Sequence, residues 1–421
     1  MKLTKTFSIA QSLFVGLLLI VSTSLLAQSQ AAINPAAAGL SAERLARLDA
    51  FLEGEIVAGK IPGAVSLVYR KGAIAQHKTH GYTNLATKEQ MGLDEIFYIQ
   101  SMTKPIVSVA IMMLYEEGYF QLNDPVSKYF PAFKDMSVAN FVEVEGTEER
   151  KMELTPADKQ ITIAHCLSHT AGLSHGLGAS EIDQMYLKTL YFQPHQTIED
   201  RVMAMAKLPL VAQPDNVWYY SAGPDVLALL IEHFSGQSCA DFLKERIFTP
   251  LGMDDTGYTL DPSKNDRIAT LHHKNKAGNL VPYPQRQPKG QGETVYGGTH
   301  ALFSTATDYM KFAQMLLNHG KGNGHQLLGR KTIELMTADR VGDKWSAPGF
   351  GFGLGFGIKT DVAASADMAS EGMYYWSGAF NTYFFIDPKE EMIAFLMMQM
   401  DPYTDYYNQK MRQLVYQAIV D

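Results

Sequence analysis

Cysteine is almost absent from this 421-residue chain, which holds only Cys166 and Cys239. Two thiols cannot build a disulfide scaffold, and neither their spacing nor their neighbours suggest a thiol nucleophile or a zinc site. Charge is sparse too: 19% of residues, with 36 Lys and Arg against 44 Asp and Glu. A phosphate backbone needs a basic patch, so this acidic balance gives no reason to expect nucleic acid as a partner. Beyond the first residues no apolar run is long enough to span a bilayer, and no repeat or low-complexity tract is visible. What remains is 46% hydrophobic, enough to bury one large core or two and unlike a disordered or collagen-like chain.

Residues 1–31 stand apart. Lys2 and Lys5 precede an apolar run from Leu13 to Val21, and small polar residues lead to Ser29-Gln30-Ala31. This is the pattern of a cleaved secretory signal peptide. A membrane anchor needs about 20 apolar residues, and Ser22, Thr23 and Ser24 break the run too early. The expectation is an exported protein, periplasmic or secreted, with no stable membrane anchor after cleavage. In such a compartment one bridge could form. The apolar surroundings of Cys166 (Ile161 to Leu167) and the helical stretch from Cys239 to Phe248 favour two separately buried thiols.

The remaining chain opens with a helix, N-capped by Ser41 and carrying Leu45, Leu48, Leu52 and Ile56 at helical spacing. Ala64 to Tyr69 and Ala73 to His80 then read as strands around Lys71-Gly72, a hairpin signal. Thr382 to Ile386 and Met392 to Met398 repeat this at the other end, around Asp387-Pro388-Lys389-Glu390, before a helical tail from about Tyr403. Between the ends the patterns are helical, as in Met102 to Glu117, Ile161 to Leu167 and Asp225 to Phe234. The charged stretch Glu143 to Lys151 reads as a solvated loop. Glycine at every second position from Gly349 to Gly357 does not fit a nucleotide-binding loop and reads as one strand with a glycine face. The fold class that follows is α/β: a sheet built from both ends of the chain, with a helical region inserted between its halves.

The strongest chemical feature is Ser101-Met102-Thr103-Lys104 at the head of the apolar run Ile106 to Leu114. A helix start aims backbone N–H groups at whatever Ser101 attacks. Lys104 follows one turn later on the same face, where a poorly solvated amine can lose its charge and accept the serine proton. Pro105 fits because the first helical turn has no intrahelical partners for its N–H groups. Alone, the tetrapeptide reads first as a capping serine beside a solvated lysine, and a catalytic role needs further motifs.

With Trp218-Tyr219-Tyr220-Ser221 and Tyr375-Trp376-Ser377-Gly378-Ala379 added, the chain from about residue 38 resembles the serine β-lactamase-like hydrolases, most closely the family VIII carboxylesterases. Ile161 to Leu173, including His169-Thr170-Ala171-Gly172, and Pro250-Leu251-Gly252-Met253 extend the match, as does Gly297-Gly298 with Leu302 to Tyr309. The resemblance implies a β-lactamase/transpeptidase-like fold spanning residues 38–421. Its α/β lobe would comprise about 38–94 plus 292–421, an antiparallel sheet flanked by helices, and its helical lobe about 95–291. It implies acyl transfer by Ser101, with Lys104 and Tyr220 sharing the proton and one of them neutral or phenolate-like. The oxyanion would be held by the backbone N–H groups of Ser101 and Ala379. Trp376, Ser377 and Gly378, on an edge strand, would bind substrate without metal or organic cofactor, and His300 would border the cleft as a substrate contact or a surface histidine.

Two departures from the penicillin-hydrolysing pattern concern substrate. Ala222 stands where Tyr-x-Asn has its amide, and Trp376 where Lys-Thr-Gly has its cation. Losing both removes polar contacts of about 1.5 to 3 kcal/mol each and favours uncharged, short-chain or hydrophobic esters. A β-lactamase or D-alanyl peptide hydrolase is the enzymatic alternative, and a non-catalytic penicillin-recognising sensor a third. A sensor normally needs a transmembrane relay, and none is expected to survive cleavage of the leader.

Other features read as structural. Ser221 lacks the first glycine and the preceding strand of a nucleophile elbow. His165 and His169 have metal-ligand spacing but no third ligand. Glu181 to Pro214, rich in aromatics, reads either as a wall over the cleft or as packing on the helical region.

Overall fold

The computed structural model describes residues 32–146 and 150–421, so the leader reading of residues 1–31 lies outside the described residues. Helix α1 (Ala42–Val57) is capped by Ser41, whose side chain accepts from the Arg44 N–H, and buries Leu45, Leu48 and Leu52. Strands β1 (Gly63–Arg70) and β2 (Ala73–Asn84) form the expected hairpin. Lys71 and Gly72 turn it with φ of 48° and 83°, the left-handed pair that matches the strand twist. A short strand, β3 (Glu89–Gln90), closes that edge.

Helix α2 (Thr103–Glu116) is buried on every side from Thr103 to Leu114, as expected of a helix apolar all round. Two further helices, α3 (Ile198–Met205) and α4 (Gly223–Ser235), lie in the same region, and α4 packs on α2. Helix α5 (Ala306–Leu317) then leads back to the sheet. The remaining strands are β4 (Phe350–Phe352), β5 (Gly357–Lys359), β6 (Tyr374–Gly378), β7 (Thr382–Asp387) and β8 (Met392–Met397), followed by α6 (Tyr406–Tyr416). The eight strands lie in the order β4-β5-β6-β7-β8-β1-β2-β3. Antiparallel pairing of β1 with β8, for example Leu67 opposite Phe395, joins the two ends of the chain.

Period-two alternation explains the layers. Val65, Leu67, Phe384, Ile386, Ile393, Phe395 and Met397 enter one core with α2 and α5. Ala64, Val68, Tyr383, Phe385, Met392, Ala394 and Leu396 face the other way, under α1 and α6. Burying a large apolar side chain fully is worth about 1.5 to 3 kcal/mol, so both faces are strongly specified. Cys166 and Cys239 are both buried and free.

Two expectations are corrected. The charged stretch is a solvated loop in part: Val144 to Gly146 are exposed and outside any strand, but Glu143, Arg150 and Lys151 belong to a two-stranded ribbon, Ser137–Glu143 against Arg150–Pro156, in which Glu143 pairs with Arg150. Its charge stays in solvent while the backbone pairs; residues 147–149 lie outside the described residues. The glycine alternation forms two strands, β4 and β5, because Gly355 adopts φ 97° and turns the chain. The close approaches inferred from those glycines are present: a Cβ on Gly353 would lie 2.1 Å from the Met336 carbonyl oxygen.

At the far end of β6, a Cβ on Gly378 would lie 2.3 Å from the Ile99 carbonyl oxygen and equally close to Thr382 Oγ1. Gly378→Ala should therefore cost about 1 to 3 kcal/mol, as overpacking does, read as a lower urea midpoint at unchanged slope. An unchanged midpoint would show that strand and loop separate without cost.

Candidate active site

Ser101 occupies a single turn of 3-10 helix, Gln100–Met102, that runs directly into α2. Gln100, immediately before it, is held at φ 49°, a strained region for a residue with a Cβ. Lys104 is one turn on and 2% exposed. Its Nζ donates to Ser101 Oγ at 3.0 Å and to the Thr299 carbonyl oxygen at 2.8 Å. Burial disfavours the ammonium and pushes Lys104 down to about 7, against the opposing pull of the Asp225 carboxylate. An amine near neutrality, in contact with a hydroxyl at a helix start, can take that hydroxyl's proton.

The Thr299 carbonyl is placed from behind. Asp225, in the first turn of α4, accepts from the Thr299 N–H at 2.8 Å and from Arg201 Nε of α3 at 2.8 Å. Gly298 permits the close approach, since a Cβ there would lie 2.0 Å from the Pro224 carbonyl oxygen.

Tyr220 stands in the loop before α4, its ring 4.6 Å from Lys104 Nζ. Its hydroxyl is buried and makes no well-formed hydrogen bond, with Ser101 and Trp376 the polar groups that act on it. Burial raises the phenol well above its usual range, partly offset by Ser101 and Trp376, so the phenolate-like alternative is disfavoured and the amine is the group poised to accept a proton. Around Tyr220 lie His169 at 4.8 Å, His175 at 4.9 Å and Trp376 at 5.6 Å between ring centroids.

The strand carrying Trp376 is not an edge strand, because β5 pairs with β6 on its outer side. That pairing stops at Tyr375, opposite Gly357, so Trp376 to Gly378 run on beyond the neighbour and keep an open side. Gly378 meets Ile99, which brings Ala379, the next residue, to the Ser101 turn. Trp376 faces Tyr220, its buried indole N–H unpartnered. Ser377 points the other way, its hydroxyl 3.1 Å from Tyr403 Oη, into a cavity of about 830 Å³ that Trp376, Phe350, Tyr375 and Trp345 also line.

His300 is no free surface histidine. It is half-buried, stacks on Tyr191 at 5.8 Å, keeps a buried Nδ1 without a partner, and is pushed down to about 4 by burial and by Arg201. Ser221 bonds to His169 Nδ1 at 3.0 Å, but it is fully buried and out of reach of a substrate, which argues against it as the nucleophile. His165 closes a capping box with Thr162. His169 ends the same short helix in the left-handed conformation and packs its ring on Trp218, Tyr220 and Phe352. Glu181 to Pro214 serves as a wall in part: Tyr191 reaches His300 while Tyr186 packs in the core. Sequence reasoning missed Thr299, Asp225 and Arg201. The available signal was Asp225 itself, an acid heading an otherwise apolar helix, where it reads as a favourable end charge.

The beta-lactamase family profile matches residues 45–417 of this chain. An uncharacterized protein of Mycobacterium tuberculosis is 30% identical over 358 residues, covering 82% of this chain and 87% of that protein. Esterase EstB of Burkholderia gladioli is 27% identical over 383 residues, covering 85% and 91%. Among solved structures, EstCE1, a hydrolase with promiscuous acyltransferase activity, superposes with a TM-score of 0.76 at 24% identity, over 89% of this chain and 99% of its own. With a matching profile across nearly the whole described chain and a serine, lysine and tyrosine gathered in one cleft, the chain belongs to the beta-lactamase family and is a serine hydrolase.

Proposed function

We propose that this protein is a carboxylesterase that cleaves uncharged esters through an acyl-serine intermediate. The observation that carries the reading is the contact between a lysine lowered to about 7 and the hydroxyl of Ser101. Ser101 Oγ attacks the ester carbonyl as its proton passes to neutral Lys104. The backbone N–H groups of Ser101 and Ala379 hold the oxyanion. Tyr220, protonated at neutral pH, donates to the leaving alcohol and relays the proton back from Lys104. Water then attacks the acyl-enzyme by the same route in reverse.

The ester preference rests on two positions. Ala222 is fully buried, its N–H bonded to the Ser174 carbonyl, and offers no amide to a substrate. Trp376 places an indole at the cleft wall where a cation would meet a carboxylate. Esterase EstB and EstCE1 carry names that agree with this reading. Export remains part of the proposal, supported by the leader pattern of residues 1–31.

Ser101→Ala should lower kcat/KM for a short-chain aryl ester by about 10³-fold or more, with the fold intact by circular dichroism. Undiminished turnover would sink the mechanism, and faster hydrolysis of a chromogenic cephalosporin than of the ester would favour the lactamase reading. Because the cation cannot accept a proton, kcat/KM for a neutral ester should rise with pH through a midpoint near 7 and level off above it. A flat profile from pH 5 to 9 would exclude Lys104 as the base. Mass spectrometry of protein recovered from outside the cytoplasm should find a first residue near position 32; an intact Met1 would refute cleavage.

A further inference from the structure

We propose that Arg201 and Asp225 form a buried positioning pair that sets Lys104 for proton transfer through the backbone of Thr299. The proposal rests on the esterase reading and adds residues that touch neither substrate nor the reacting atoms. Four contacts carry it. Arg201 Nε donates to Asp225 Oδ2 at 2.8 Å, the Thr299 N–H donates to Asp225 Oδ1 at 2.8 Å, Lys104 Nζ donates to the Thr299 carbonyl at 2.8 Å and to Ser101 Oγ at 3.0 Å. One residue, Thr299, therefore links the carboxylate to the amine, with its N–H on Asp225 and its C=O on Lys104.

Burial argues against a merely stabilising ion pair here. The side chains of Arg201 and Asp225 are 8% and 1% exposed, and a buried pair gains little over apolar packing once desolvation is counted. The arrangement is also built tightly. A Cβ on Gly297 would lie 2.9 Å from Asp225 Oδ1, and Arg201 is fixed a second time by donating through Nη1 to the Leu190 carbonyl, with the Tyr191 ring 5.0 Å from its Cζ.

The charges around Lys104 leave Asp225 a distinct role. His169, His175 and His300 face this region and burial keeps each neutral. Tyr220, Tyr191, Tyr258 and Cys239 face it too, and burial keeps each protonated. Among the described groups that face Lys104, Asp225 is thus the anion, and it raises the lysine against the burial that lowers it. Arg201 holds that carboxylate ionised. The pair fixes both where the amine sits and the pH at which it becomes a base.

Asp225→Asn keeps the shape and removes the charge. Its kcat/KM on an aryl ester should fall about tenfold or more, mainly in kcat, and the midpoint of its acid limb should move below that of the native enzyme. Asp225→Glu should recover part of both. A folded D225N enzyme, judged by thermal melting, that titrates at the native midpoint would overturn the proposal whatever its rate, because a structural role lowers rate without moving the midpoint. If D225N does not fold, Arg201→Lys decides. It keeps the charge but loses the Nε–H fork, so kcat should fall with KM nearly unchanged, and native kcat would overturn the proposal. Ser101→Ala on the same ester separates the two claims: activity surviving there defeats the esterase mechanism itself, whereas an inactive S101A beside an unshifted D225N defeats only the positioning pair.

Discussion

The site depends on withholding water from one amine. Lys104 sits in the first turn of a helix that is buried all round, and the surrounding protein offers it a carbonyl, a hydroxyl and the face of a phenol ring in place of solvent. The loss of hydration brings its proton affinity down to the range of a neutral medium. The proposed chemistry of the neighbouring serine follows from that displacement, since a hydroxyl beside a permanently charged ammonium would have no acceptor for its proton.

Close backbone approach is the second constraint. The cleft is assembled from segments far apart in sequence: the turn at Ser101, the loop before α4, the strand Tyr374–Gly378 and the segment at Gly297–Thr299. Glycine occupies the points of nearest contact, Gly378 against Ile99 and Gly298 against Pro224, where a single Cβ would push the segments apart. The aromatic residues then fill the space that remains, so Trp376 and Tyr220 are placed by packing on one another and on His169.

The parts legible in the sequence were those set by local pattern. Alternating Val65, Leu67, Ile393 and Phe395 announced strands, and Ser101 with Lys104 announced a helix-borne pair, because period and spacing are properties of a short window. Two local patterns misled. Alternating glycines read the same in one strand as in two, and only the backbone of Gly355 distinguishes them. The charges from Glu143 hid a ribbon paired by its backbone, with Asn140 donating across it to Thr155 Oγ1. Contacts set by tertiary packing were not legible: that Ser377 faces Tyr403, that His300 is stacked under Tyr191, and that the Asp225 carboxylate lies behind Thr299.

The pairing of β1 with β8 carries a kinetic consequence. Val65 lies opposite Met397, so the central ladder of the sheet joins the first strands made to nearly the last. Such long-range pairing forms slowly, since chain entropy must be lost before the contact is gained. Helix α2 and the turn carrying Ser101 before it are synthesised early, but β6, whose Gly378 meets Ile99, lies on the late-made side of the same sheet. During synthesis the proposed nucleophile is therefore made long before β6, and the cleft is complete only once the C-terminal strands have paired.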